Sequence, residues 1–137
     1  MIKKMYASLN QGGCLIHKVD LRDHHMFSPE KSPVKFLEVS GFLYKLMTYG
    51  SGLPNRCLFH KYKKLLKSLS PSVKFFCTGL HGIDSFQEIY KIDDIPTELE
   101  NRAIAFIDSN RHLFADEFKE VSSKDLAVSS FFFVLEK

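Results

Sequence analysis

The sequence contains no tryptophan, only three cysteines and no long apolar segment. Cys14, Cys57 and Cys77 are odd in number, far apart and without a C-x-x-C pair, which favours reduced thiols over a disulfide framework. No run approaches the roughly 18 apolar residues of a membrane span, and the opening residues, MIKKMYASLNQGG, lack the apolar stretch of a signal peptide. We therefore expect a cytoplasmic protein without membrane association.

Catalytic and cofactor-binding motifs are also missing, including G-x-S-x-G, H-E-x-x-H, G-x-G-x-x-G and G-x-x-x-x-G-K-[ST]. Asp23-His24-His25 has no third ligand at suitable spacing, and neighbouring residues of an extended chain point to opposite faces, so we predict no metal site there. His81 lies in a predicted loop and is the first histidine to test for function, although a solvent-exposed turn residue is the simpler interpretation. We expect no enzymatic activity and no cofactor.

What is present is enough apolar sequence for a folded domain. Of the 137 residues, 45% are hydrophobic and 26% are charged, which places the chain among globular proteins and predicts one domain over residues 1–137. The net charge of +3 is unevenly distributed, because residues 82–120 contain ten acidic and four basic side chains. This asymmetry indicates a charged partner, or merely the way in which two helices are solvated.

Six segments read as strands. Residues 73–78 and 86–92 flank a Gly- and Asp-containing turn and predict a central hairpin. Residues 4–9 and 14–21 predict a second hairpin around the turn at 10–13, with Leu15, His17, Val19 and Leu21 on one face. Residues 34–40 and 42–49 complete the set, broken by a bulge at Gly41. The run 42–49 has large side chains on both faces, so it is either covered on both or exposes an aromatic patch to a partner.

Two amphipathic helices are predicted, with a third at the end of the chain. Asn55 would cap the first, over residues 55–69, with an apolar stripe of Leu58, Tyr62, Leu65, Leu66 and Leu69. A capping box of Thr97 and Glu100 would open the second, with a stripe of Leu99, Ala103, Phe106, Ile107 and Phe114, widened by Ile104 and Leu113. After a connector over 115–121, Ser122 or Ser123 would cap a last segment. We predict a helix there from the spacing of Leu126, Ser130, Phe131 and Val134, although residues 128–135 also have strand propensity, so a strand stays open as the alternative. The expected fold class is α+β, a mostly antiparallel sheet of four to six strands with two or three packed helices.

Several short motifs over residues 36–133 occur in an order that resembles one known family. They are Val39-Ser40-Gly41, Leu65-Leu66 and Leu69, Phe76 with Gly79 and Phe86, Ile92-Asp93-Asp94-Ile95-Pro96-Thr97, Asn110-Arg111-His112, and Ser122-Ser123-Lys124-Asp125-Leu126. The order is similar to that of the RnlB/LsoB-type antitoxins, which neutralise RnlA/LsoA-type ribonuclease toxins in bacterial type II toxin–antitoxin systems. The resemblance covers about 100 residues. Residues 1–33, predicted as a strand hairpin plus loop, are unmatched, and the family's tryptophan-containing step is Ser85-Phe86 here.

The resemblance implies a non-enzymatic ribonuclease inhibitor that binds its cognate toxin and takes part in phage defence. A toxin that cleaves RNA should have a positive groove, and its inhibitor should offer carboxylates together with apolar contacts. The acidic segment supplies both kinds of group, and the predicted contact residues are Asp84, Phe86, Glu88, Tyr90, Asp93 and Asp94. Direct nucleic-acid binding is not expected on this interpretation.

Two alternatives remain open. One is a nucleic-acid-binding domain that uses the basic face of the helix at 55–69, formed by Arg56, His60, Lys63, Lys64 and Lys67. Those side chains are equally explained as the solvated face of a helix that packs on a sheet. The other alternative is an unrelated protein-interaction or inhibitor module.

Overall fold

The computed structural model describes residues 1–22, 32–50, 56–84, 86 and 88–137. Asp23-His24-His25, Asn55 and Ser85 lie outside these residues. The helices are α1 (Ile2–Ala7), α2 (Gly41–Thr48), α3 (Phe59–Leu69), α4 (Thr97–Asn110), α5 (Asp116–Lys119) and α6 (Ser123–Ala127), and two 3-10 turns span Lys35–Leu37 and Arg111–Leu113. The strands are β1 (Cys14–Asp20), β2 (Lys74–Leu80), β3 (Tyr90–Lys91) and β4 (Val128–Glu136).

The four strands form one sheet in the order β1-β4-β2-β3, with every neighbouring pair antiparallel. The α+β class and the antiparallel sheet are therefore confirmed. The last strand in the sequence, β4, lies between β1 and β2, and Phe131 is in register with Val19 on one side and Cys77 on the other. Because a central strand is covered on both edges, β4 holds the sheet together.

One face of the sheet carries the core. Phe131, Phe133 and Leu135 on β4 are fully buried, as the two-residue period of a strand requires. From α3, the ring of Phe59 packs edge-on against those of Phe75 and Phe131, at centroid distances of 5.6 and 5.0 Å. These edge-to-face contacts pack α3 against the two central strands, β2 and β4.

The predicted inner face of β1 is confirmed. Leu15 and Val19 are buried, while His17 and Leu21 are half-buried. The imidazole of His17 lies 5.7 Å from the ring of Phe133, between centroids. His17 is thus a packing residue of the sheet, as the alternation of β1 indicated.

The prediction for the end of the chain was wrong. The helix that begins at Ser123 ends at Ala127, and the remaining residues form β4 instead of continuing it. The three consecutive phenylalanines explain the outcome, because a strand places Phe131 and Phe133 in the core and turns Phe132 to the other face, where it stacks on Phe76 at 4.6 Å. A helix would have spread the same three rings over more than half of its circumference.

The predicted hairpin at the start of the chain was also wrong. Residues 4–9 belong largely to α1, because Ile2, Met5, Tyr6 and Leu9 follow a helical spacing and pack against the core. The turn after α1 leads into β1, with the Gly13 amide donating to the Asn10 carbonyl at 2.9 Å. The partner of β1 is β4, more than 100 residues away in the sequence, so the described part of residues 1–33 contains a helix and a strand rather than two paired strands.

The strands predicted at 34–40 and 42–49 are a 3-10 turn and α2. The Ser40 hydroxyl caps α2 by accepting from the Leu43 amide at 3.4 Å, and Gly41 is the first helical residue rather than a bulge. Aromatic and β-branched residues raised the strand propensity of this region. The cap and the helical spacing behind it decide the structure instead.

The central hairpin is partly confirmed. β2 and β3 are antiparallel, with Cys77 opposite Tyr90, but β3 has only two residues, and β4 occupies the other edge of β2. The first predicted helix, α3, begins at Phe59 instead of near residue 55, while its apolar stripe is buried or half-buried as expected.

The second predicted helix, α4, has the expected span, but the capping box is wrong because Thr97 makes no capping bond and Pro96 is the N-cap residue. Leu113, which the pattern placed in the stripe, is 47% exposed. Ala103, Ile107 and Phe114 are buried as predicted. The described residues contain six α-helices, more than the two or three expected, because four short helical segments lack a long periodic pattern.

Candidate functional site

Four of the six predicted contact residues lie in β3 or in the segment that leads to it, which together we call the β3 edge: Tyr90 belongs to β3, and Asp84, Phe86 and Glu88 precede it. Asp84 and Glu88 are exposed, and Phe86 and Tyr90 are half-buried. The rings of Phe86 and Tyr90 meet edge-on at 5.7 Å. The Tyr90 hydroxyl donates to the Glu88 carboxylate at 2.7 Å, and this bond raises the pKa of the tyrosine. The edge thus presents two carboxylates beside an aromatic pair.

The other two contact residues, Asp93 and Asp94, are exposed in the turn that follows β3. Asp94 donates its amide to the Lys91 carbonyl at 2.9 Å and lies 4.0 Å from the Lys91 ammonium. Asp93 lines a pocket in company with five lysines. The acidic residues follow one another in the sequence, but in the fold they do not form one negative surface, because lysines of other elements lie beside Asp93.

The basic face predicted at 55–69 does not form as one surface. The side chain of Arg56 is only 6% exposed. Its guanidinium donates to the carbonyls of Phe36, at 2.8 Å, and Val39, and forms an ion pair with Glu117. The pKa of Arg56 is lowered, and the largest cause is the burial of the guanidinium.

The same guanidinium stacks on two rings, those of Tyr44 and Phe118, each at 4.5 Å from the centroid. Arg56 therefore joins α2, α5 and the 3-10 turn and is a structural residue. The sequence could not show this, because its partners are 12 to 62 residues away.

The remaining basic residues are divided between internal and external roles. Lys63 donates to Asp125 of α6 at 2.7 Å and lies over the Phe59 ring. His60 is half-buried, its Nδ1 has no hydrogen-bond partner among the described residues, and burial lowers its pKa. Lys64 and Lys67 are exposed. Because only part of the predicted basic face is exposed, it does not form the continuous positive surface that a nucleic-acid backbone requires.

The largest apolar exposure in the described residues is on α2. Tyr44 faces inward, while the outer side of the helix and the residue after it expose Phe42 (82%), Leu43 (45%), Leu46 (65%), Met47 (51%) and Tyr49 (90%). We call these five residues the α2 face. Isolated exposed apolar residues are ordinary, but four on one helix with a fifth directly after it form an apolar patch of the kind found at contact surfaces. The sequence left this possibility open, and the signal that would have decided it is the i, i+4 spacing of Phe42 and Leu46 behind the Ser40 cap.

His81 lies in the turn after β2, as predicted, but it is not the solvent-exposed residue that the simpler interpretation expected. The side chain is 3% exposed, its amide donates to the Ala127 carbonyl at 2.8 Å, and its ring lies 6.3 Å from that of Phe36. Burial, reinforced by the nearby Arg22, lowers the pKa of His81 to about 4. At neutral pH the imidazole is therefore uncharged, and its Nδ1 has no partner among the described residues.

Metal binding and membrane insertion find no support in the part of the chain that is described. No group of three or more His, Cys, Asp or Glu side chains there could hold a metal ion. None of the helices there combines the length and the apolarity needed to cross a bilayer. The cysteines there are all free, with Cys14 exposed and Cys77 buried, and burial raises the pKa of Cys77 to about 11.

Comparisons of this chain with models of protein families, with curated proteins and with solved structures find no match.

Proposed function

We propose that this protein is a type II antitoxin, a non-enzymatic inhibitor that binds an RnlA/LsoA-type ribonuclease toxin. The toxin class follows from the sequence motifs that resemble the RnlB/LsoB-type antitoxins. The observation that supports a protein-binding role is the α2 face, where four large apolar side chains of one short helix and a fifth directly after it are exposed. An inhibitor needs such a surface because buried apolar side chains supply most of the affinity of a protein interface.

In this proposal the two exposed surfaces have different tasks. The α2 face is apolar and would supply binding free energy when the toxin covers it. The carboxylates of the β3 edge and the following turn would attract the positive RNA-binding groove and accelerate association. Phe86 and Tyr90 are already packed on each other, so they would contribute a preformed aromatic contact at that edge.

Nucleic-acid binding through the basic helix is the weaker candidate. Arg56 and Lys63 donate to partners within the chain, the Phe36 carbonyl and the Asp125 carboxylate. Lys64 and Lys67 are left as the exposed cations of that set. A gel-shift titration with RNA and DNA at low and high salt tests it directly, because phosphate binding weakens steeply as salt increases. The antitoxin proposal predicts no salt-dependent shift.

The decisive experiment is co-expression with an RnlA/LsoA-type ribonuclease toxin. The chain should restore growth and co-purify with the toxin, and RNA cleavage by the purified complex should fall. A toxin that stays fully active and does not bind the purified chain would reject the antitoxin proposal.

The role of the α2 face is tested with the double variant Phe42→Ser, Leu46→Ser. Losing two apolar side chains from the interface should cost about 3 kcal/mol, or about 100-fold in Kd. Folding should be little affected, because both side chains are mostly exposed. Ile16→Thr is the matched control, since Ile16 is 66% exposed on a different element. Equal Kd values for the double variant and the control would exclude the α2 face as the contact surface.

The acidic residues are tested separately with Asp93→Lys combined with Asp94→Lys. We expect a slower association with the toxin, most clearly at low salt, where charges are least screened. An unchanged association rate would show that these two carboxylates lie outside the interface.

A further inference from the structure

A pocket of about 410 Å³ lies where α3, β2, the turn after β3 and the start of β4 meet. Its floor is apolar and consists of side chains that also belong to the core: Phe59, Phe75, Leu80, Ala127 and Val128. This volume falls within the range of roughly 300–1,000 Å³ that is typical of small-molecule sites. Because residues of six helices and strands (α3, β2, β3, α4, α6 and β4) line it, no motif in the sequence indicates the pocket.

The rim carries more positive than negative charge. Five lysines and three carboxylates line the pocket. Two of the lysines are neutralised within the rim, by the pairs Lys63–Asp125 and Lys124–Glu100, each at 2.7 Å. These pairs leave three lysines and one carboxylate, Asp93, to determine the preference of the site.

Of the three remaining lysines, two have only weak, exposed partners and the third has no ion pair with a described residue. Lys74 pairs with Glu136 at 3.0 Å and Lys91 with Asp94 at 4.0 Å, but every side chain in these two pairs is more than half exposed, so the pairs are weak. Lys67, which is exposed near the end of α3, has no ion pair with any described residue. An apolar floor beneath a surplus of ammonium groups suits a ligand with an apolar body and an anionic head.

We propose that this pocket binds a small amphipathic anion, with an aliphatic or aromatic body on the apolar floor and a carboxylate at the Lys67 ammonium. The floor excludes water from the body of the ligand, which supplies the affinity. The lysine rim selects the anion over a neutral or cationic molecule of the same shape. The site is distinct from the α2 face, and only Asp93 belongs both to the rim and to the proposed toxin contact.

The probe for this site is decanoate, titrated below its micelle concentration into the isotopically labelled full-length protein and followed by two-dimensional amide NMR. Amide shifts should concentrate at Leu80, Ile92 and Val128, which line the pocket. Decanol and decylamine, which carry the same chain with a neutral and a positive head, should bind more weakly. Shifts spread over the whole chain, or equal binding of all three probes, would overturn the proposal.

The role of the rim is tested with two charge variants that should change the affinity for decanoate in opposite directions. Lys67→Gln should weaken decanoate binding about three-fold, and Asp93→Asn should strengthen it by a similar factor, as expected for single partly exposed charges. Lys64→Gln, on the same helix but outside the pocket, should leave the Kd unchanged. All three side chains are exposed, so the variants should fold like the parent. Equal Kd values for Lys67→Gln and Lys64→Gln would refute the assigned role of the rim.

The outcome is separable from that of the antitoxin proposal. Lys67→Gln should leave growth rescue by the chain intact, because Lys67 is in neither proposed toxin-contact surface. A chain that restores growth but does not bind decanoate refutes only the pocket inference. A chain that binds decanoate but does not neutralise the toxin refutes only the proposed function.

Discussion

Acid should destabilise this protein mainly through His81, with a contribution of the same sign from the half-buried His60, whose pKa is also lowered by burial. The side chain of His81 is 3% exposed, and its pKa is lowered to about 4 by burial and by Arg22. In the unfolded chain the same imidazole titrates near its ordinary value of about 6.5. Between these values the unfolded state binds a proton and the folded state does not, so the stability present above pH 6.5 is lost as the pH falls towards 4.

The magnitude follows from the two pKa values. Lowering the pH from 7 to 5 should remove about 2 kcal/mol from the free energy of unfolding. This interval lies above the ordinary titration range of carboxylates, so histidines dominate the change, and His81 contributes most because its pKa is lowered further than that of His60. The assay is urea denaturation at several pH values, with the free energy of unfolding obtained by linear extrapolation.

The variant His81→Phe isolates the effect. Phenylalanine removes the titrating group and keeps a ring beside Phe36, and the backbone bond from residue 81 to the Ala127 carbonyl does not depend on the side chain. We expect the variant to lose most of the pH dependence, whereas His112→Gln, at an exposed histidine, should retain it. If His81→Phe loses as much stability as the parent chain between pH 7 and 5, the burial argument is wrong.

Two further predictions concern groups that the fold buries. Arg56→Ala should lower the free energy of unfolding by about 2–4 kcal/mol, because it leaves two backbone carbonyls without their charged donor, and Arg56→Lys should restore only part of the loss. Lys64→Ala, at an exposed position of α3, is the control for urea denaturation and should change little; a similar loss in both variants would contradict the structural role. In native protein a thiol reagent should modify the exposed Cys14 rapidly and Cys77 only after unfolding, because Cys77 is buried with a pKa of about 11. Fast modification of Cys77 in the native state would contradict its burial.

Local patterns predicted the elements whose burial is decided within a few residues. The two-residue alternation of β1 correctly identified the inner face that contains Leu15 and Val19. The helical spacing of α3 and α4 identified most of their buried side chains. These predictions succeeded because an amphipathic pattern specifies which side of an element avoids water.

Elements whose conformation depends on distant partners were predicted badly. β4 was assigned to a helix because Ser130, Phe131 and Val134 fit a helical spacing with Leu126, although its strand propensity was also visible. Its strand conformation is favoured by pairing with β1 and β2, whose residues are 48 or more positions away. α2 was assigned to strand by propensity, although the Ser40 cap favours a helix.

For the candidate surfaces, too, the sequence showed which charged residues are present but not which of them the fold brings together. The acidic segment was visible as composition, and all of its acidic residues except Glu100 are exposed, as that composition suggests. Whether those charges act together was not visible, because the lysines that share the pocket with Asp93 come from α3, β2, β3 and α6. The basic helix was visible too, but the burial of Arg56 depends on α2, α5 and the turn at Lys35–Leu37.

The sequence by itself determined the α+β class, the inner faces of β1, α3 and α4, and the lack of any common catalytic motif, since these depend on residue type and spacing alone. Only the tertiary structure decided the central place of β4, the exposure of the α2 face, the burial of His81 and the existence of the pocket. Each of these depends on which distant segments pack together, and the free energy of that packing is shared among many residues rather than encoded in one local pattern.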